Sequence, residues 1–165
     1  FHGIGDAIMA TFPGTPGDDT LTAGAGDDIY QLGAGNDTLY FNATVDGQGV
    51  LTWANGFDTV ISTDGGVEAP NYDRIILNFS GDYIFGRKVG NDLELSVYAH
   101  KLTGDEDPGA TDQVGKITLK DAFTASLADR ISRIEGTDFA FEAIAAPVAL
   151  PVVLTVGDAV VIVNR

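Results

Sequence analysis

The sequence predicts an all-β fold in two parts, a coil of very short strands at a nine-residue period and then a region of longer strands. Three observations carry this. Residues 14–40 read GTPGDDTLT, AGAGDDIYQ, LGAGNDTLY, three blocks of nine laid end to end. Six glycines between Gly14 and Gly35 exclude a helix there. From Asn71 onward, β-branched and aromatic residues alternate at period two between Gly, Asn and Asp.

The blocks obey one rule. Positions two and four are small or glycine, position six is Asp, and position eight is apolar. Position four holds Gly17, Gly26 and Gly35, position six Asp19, Asp28 and Asp37, and position eight Leu21, Tyr30 and Leu39. Two fainter copies follow. WANGFDTVI carries Gly56, Asp58 and Val60 in the same places, and Asp46 lies one block after Asp37 without the glycine. The natural division is a longer turn and a very short strand in each block, since Gly takes positive φ at no steric cost.

Such a coil is hard to stabilise by its core. Each block buries one apolar side chain, which is too little to offset the ordering of the whole block. The aspartates offer the remedy. Asp is a hard oxygen ligand, and tight Gly turns expose backbone carbonyls; calcium takes six to eight such oxygens. If two blocks make one coil, every second loop stacks on the same side, with Asp19 above Asp37 and Asp28 above Asp46. An ion bridging each pair stabilises by mass action, about 2.7 kcal/mol at a hundredfold excess over its dissociation constant.

These blocks resemble the GGxGxDxUx nonapeptides of RTX (repeats-in-toxin) proteins. The first glycine pair is degenerate here, as Gly14-Thr15, Ala23-Gly24 and Leu32-Gly33. The resemblance implies a parallel β-roll that binds calcium through the position-six aspartates Asp19, Asp28 and Asp37, with Asp46 and Asp58 as further candidates. It also implies loop carbonyls as ligands, those of Gly14, Pro16, Gly17, Ala23, Ala25, Gly26, Leu32, Ala34 and Gly35.

The remaining strands are YDRIILNF, DYIFGRKV, DLELSVYAH, KITLKDAF and RISRIEGTDFAF, with a hairpin turn at Gly90-Asn91-Asp92 that makes Asp92 a turn residue. A short helix is signalled at Ser126–Arg130. The order of these segments resembles the region that follows RTX repeats in many large secreted proteins, and the resemblance covers residues 12–142. It gives a β-roll over 1–61 and a β-sandwich-like, strand-rich extension over 62–142. The acidic loop 104–112 is either solvent-exposed or an extra calcium site.

Residues 143–165 form a third part, nearly all apolar. Pro147, Pro151, Gly157, Asp158 and a wealth of valine argue against a membrane helix and for a β-hairpin about Val156-Gly157-Asp158. Such a hairpin packs on its own domain, pairs with another chain, or serves in secretion.

Net charge is −15, which argues against nucleic acid and anionic membranes as partners. Residues 1–73 hold eleven acids and neither Lys nor Arg; all nine bases follow. With no cysteine, no HExxH, no GxSxG and no P-loop, nothing in the chain supports catalysis. The expected protein is a calcium-folded, non-catalytic RTX module of a secreted bacterial surface or adhesive protein, able to self-associate. The alternative is the export-and-folding module of a type I-secreted enzyme or toxin.

Overall fold

A computed structural model describes residues 9–62, 72–102, 112–123 and 131–140, with the backbone alone of 141–142, 152–156 and 159–163. In the repeats each block delivers one short strand, because glycine and aspartate take up the turn. These are β1 (Thr11–Pro13), β2 (Thr20–Thr22), β3 (Ile29–Gln31) and β4 (Thr38–Phe41). A small hairpin follows, β5 (Thr44–Val45) and β6 (Leu51–Thr52), and then β7 (Phe57–Ile61). The extension supplies β8 (Arg74–Leu77), a 3-10 turn at Gly81–Tyr83, β9 (Ile84–Val89), β10 (Asp92–Tyr98) and β11 (Gln113–Leu119). Then come β12 (Arg133–Glu135), β13 (Ala140–Glu142), β14 (Val152–Val156) and β15 (Ala159–Val163).

The chain crosses back and forth between two sheets. One has the order β1-β3-β7-β11-β10-β9, the other β13-β12-β8-β4-β2. Strands of successive coils pair in parallel, which makes a parallel β-roll. The roll continues past the repeats, since β8, β11 and β12 from the extension join the same sheets in parallel. Antiparallel β9, β10 and β13 then widen them. The hairpin expected at Gly90-Asn91-Asp92 is present, but its turn is Gly90-Asn91 alone, with Gly90 at φ 62°; Asp92, expected in the turn, instead opens β10 and pairs with Val89.

The coils lengthen along the chain. In one sheet Thr11 pairs with Ile29, two blocks on, but Ile29 pairs with Thr59 and Phe57 with Lys116, each a longer step than the last. In the other sheet Thr20 pairs with Thr38, again two blocks on, Thr38 with Arg74, four blocks on, and Arg74 with Arg133, further still. The excess is looped out. Residues 42–54 carry the β5–β6 hairpin, pinned at its base by the Asn55 amide donating to the Asn42 carbonyl.

The core lies between the two sheets and is filled from position eight of each block and its counterparts: Tyr30, Leu39, Val60 and Ile75 are all buried. An aromatic staircase climbs into it from exposed Phe12. Phe12 stacks on Tyr30 at 5.1 Å, Tyr30 meets Phe41 edge-on, Phe41 stacks on Trp53 at 5.8 Å, and Trp53 meets Phe79 edge-on.

β14 and β15 pair antiparallel as a separate two-stranded sheet that lies against β9. The helix expected at Ser126–Arg130, the tip of the tail hairpin at Gly157-Asp158, and residues 104–111 of the acidic loop lie outside the described residues. No helix among the described residues is long and apolar enough to cross a membrane.

Leu39 is fully buried and Val45 is exposed. Leu39→Ala is therefore expected to cost about 2–5 kcal/mol, and Val45→Ala no more than about 0.5 kcal/mol. Urea unfolding in saturating calcium measures both.

Candidate metal centre

Each position-six aspartate sits where a turn delivers the chain into a strand, and there it links two coils twice. Its carbonyl accepts from the next coil: Thr38 N–H to Asp19 O at 2.9 Å, Thr59 N–H to Asp28 O at 2.9 Å, Arg74 N–H to Asp37 O at 2.8 Å. Its own N–H donates to the next coil's carboxylate: Asp19 to Asp37 Oδ1 at 2.7 Å, Asp28 to Asp58 Oδ1 at 2.7 Å, Asp37 to Asp73 Oδ1 at 2.9 Å. Ala10 N–H starts the second series by donating to Asp28 Oδ1 at 2.9 Å. The result is two ladders, Asp19–Asp37–Asp73 and Ala10–Asp28–Asp58, one on each edge of the roll.

Position five runs the opposite way. Asp18 Oδ1 accepts from Asn36 N–H at 2.8 Å, Asp27 Oδ1 from Phe57 N–H at 2.9 Å, and Asn36 Oδ1 from Tyr72 N–H at 2.8 Å. Neighbouring loops are thus laced in both directions. They also touch backbone to backbone. Gly35 has φ 123°, and a Cβ there would lie 2.6 Å from the Gly17 carbonyl carbon; one at Gly56, with φ 79°, would collide with the Gly26 carbonyl. Only glycine fits, and its absence of side chain brings loop carbonyls against the next coil.

The lacing leaves something over. Asp28, Asp37, Asp58 and Asp73 are all buried, with Asp37 at 0% and Asp58 at 1% exposure. Asp37 Oδ2 and Asp58 Oδ2 have no hydrogen-bond partner. A buried, unsatisfied carboxylate oxygen is costly. Burial accordingly raises Asp37, and it pushes Asp58 up to about 8 against the pull of the Asp28 N–H, with the Asp28 and Asp27 charges adding to the rise. Burial also lifts Tyr30 to about 12; its hydroxyl accepts from Gly24 N–H at 2.9 Å and reaches Asp28 Oδ2 at 3.4 Å.

These donors fit a hard dication. They are all oxygens, two are orphaned and buried, and residues 1–73 supply no ammonium or guanidinium side chain to neutralise them. Among the described residues no three Asp, Glu, His or Cys converge, so side chains alone do not complete a shell. Backbone carbonyls of the glycine turns are the other oxygens near at hand.

The family model of the RTX calcium-binding nonapeptide repeat (4 copies) matches residues 13–39. This segment is an array of RTX repeats, and it binds calcium. The matched segment ends before Asp58 and Asp73, which the structure brings onto the same two ladders as the RTX aspartates. A search of curated proteins finds no match to the chain.

The RTX register places Asp19 over Asp37, and the structure agrees. It does not stack Asp46 on Asp28. That place belongs to Asp58, because residues 42–54 loop out and push the next coil further along the chain than a two-block turn would. Asp46 instead closes the β5–β6 turn, where its Oδ1 accepts from Gln48 and Val50 N–H at 2.9 Å. Asp19 holds the outer end of its ladder, with Oδ2 accepting from Thr15 N–H at 2.6 Å. The candidate carbonyl residues fall in the three RTX turns: Gly14, Pro16 and Gly17 before β2, Ala23, Ala25 and Gly26 before β3, Leu32, Ala34 and Gly35 before β4. Asp73 was missed by the motif, yet it lies four full periods after Asp37, with apolar Ile75 two places on.

Two outcomes are expected. In calcium-free protein the raised Asp58 binds its proton more tightly when folded, so stability is gained on acidification below about 8 and lost as pH rises through it. At pH 7 a calcium ion held by Asp58 would displace that proton, and titration calorimetry in buffers of different ionisation enthalpy is expected to give different heats; identical heats would show that no proton leaves. Separately, Asp28→Ala will weaken calcium binding at least tenfold. Asp92→Ala will leave it unchanged, because Asp92 is held low by Lys120, 2.8 Å away, and by Asp121 N–H in spite of its burial.

Proposed function

We propose that the chain is the calcium-folded structural module of a secreted bacterial surface or adhesive protein, exported by a type I route and without catalytic duty of its own. One observation carries this reading: two columns of aspartates, all but Asp19 buried, whose spare oxygens at Asp37 and Asp58 face no protein donor. A roll built this way is incomplete until calcium arrives. Calcium loading is then the step that orders the loops and closes the stack, and millimolar extracellular calcium is the setting in which such weak, oxygen-rich sites fill.

The residues take definite parts in this. Asp19, Asp37, Asp28 and Asp58 hold the ions together with carbonyls of the three glycine turns. The ion supplies the positive charge that the side chains of residues 1–73 lack. The adhesive part of the reading is supported by the tail, where residues 144–163 carry one charge, Asp158, and where β14 and β15 form a sheet of their own. A two-stranded sheet has open edges on which a second copy can pair.

Light scattering on a sizing column, with circular dichroism in parallel, tests both parts. The full chain in calcium is expected to be β-rich and oligomeric; a chain ending at Glu142 should be β-rich and monomeric. EDTA should abolish the β spectrum of the repeats in each. A spectrum that survives EDTA overturns the calcium-folded reading, and a monomeric full chain at high concentration overturns self-association.

A further inference from the structure

We infer that Ser62 stands in for a cation at the third rung of one ladder, so that calcium binding stops at Asp37 and the coil that Asp73 closes is held without metal. The inference rests on the calcium reading above and states where the dependence ends.

Three buried aspartates receive a preceding aspartate's N–H, and the second carboxylate oxygen sets one of them apart. Asp37, Asp58 and Asp73 each spend Oδ1 on that N–H, at 2.7, 2.7 and 2.9 Å. All three are buried to the same degree. At Asp37 and Asp58 the second oxygen has no partner, whereas at Asp73 it accepts the hydroxyl of Ser62. Ser62 is itself buried, at 1% exposure, immediately after β7. Its hydroxyl is carried to the spot by the strand, so Asp73 is satisfied as soon as the coil forms.

The close Ser62 hydroxyl on Oδ2 removes the desolvation penalty that makes the oxygens of Asp37 and Asp58 seek a cation. The Ser62 hydroxyl thus marks the passage from metal-held to protein-held coils.

The test counts bound calcium on the full chain by equilibrium dialysis, comparing wild type with Asp37→Asn, Asp58→Asn, Asp73→Asn and Ser62→Ala, with circular dichroism in saturating calcium as the folding control. Asp37→Asn and Asp58→Asn should each lose an ion. Asp73→Asn should keep the wild-type number with affinities within twofold. Ser62→Ala, which leaves the Asp73 carboxylate intact but strips its donor, should gain one ion. Loss of an ion in Asp73→Asn, or no gain in Ser62→Ala, overturns the inference while leaving the calcium reading intact. A wild type that binds none overturns both.

Discussion

Everything in this roll depends on a backbone N–H finding a carboxylate one coil away. A turn that ends on a strand leaves an amide with no sheet partner, and buried amides must be paired. Asp meets the need because its side chain is short enough to reach across one coil spacing and no further. The solution has a cost in charge. Repeating it stacks carboxylates in a column, and two columns run through a segment with neither Lys nor Arg before Arg74. The glycine turns, which bring carbonyls close, and the need for calcium both follow from that one choice of hydrogen-bond acceptor.

The extension solves the same charge problem with side chains. Glu94 on β10 lies between Arg87 at 3.0 Å and Lys116 at 3.5 Å, and Asp92 pairs with Lys120. Each such partly exposed pair contributes little, about 0–1 kcal/mol, but the acids are matched where they stand. Longer strands here also bury more than one residue each, with Leu93, Leu95 and Val97 all inward on β10. The lopsided distribution of Lys and Arg in the sequence thus corresponds to two ways of holding one continuous pair of sheets.

Strand positions were legible because their cause is local: glycine and aspartate set the turns, alternation sets the longer strands, and position eight points inward. The stacking partners were not, because they depend on how much chain is looped out between coils. Strict counting by nines favours Asp46 under Asp28, whereas the neighbourhood of Asp58, with Gly56 before and Val60 after, marks the residue that sits there. Asp73 shows the reverse, a residue on the count by nines without the glycine. Ser62 had no signal at all, since a serine after a strand acquires meaning only when folding brings it to a distant carboxylate.

Coils of very unequal length share one stack because the stack constrains only a rung and a strand in each. Whatever lies between is at liberty to leave the cylinder and return, as the β5–β6 excursion does, fastened at Asn42 and Asn55. Such a scaffold behaves as a rack with fixed slots and free shelving. New surface can be grafted at a coil's outer bend without reworking its neighbours, and the place for a graft is the point where Asn55 already draws two chain segments together.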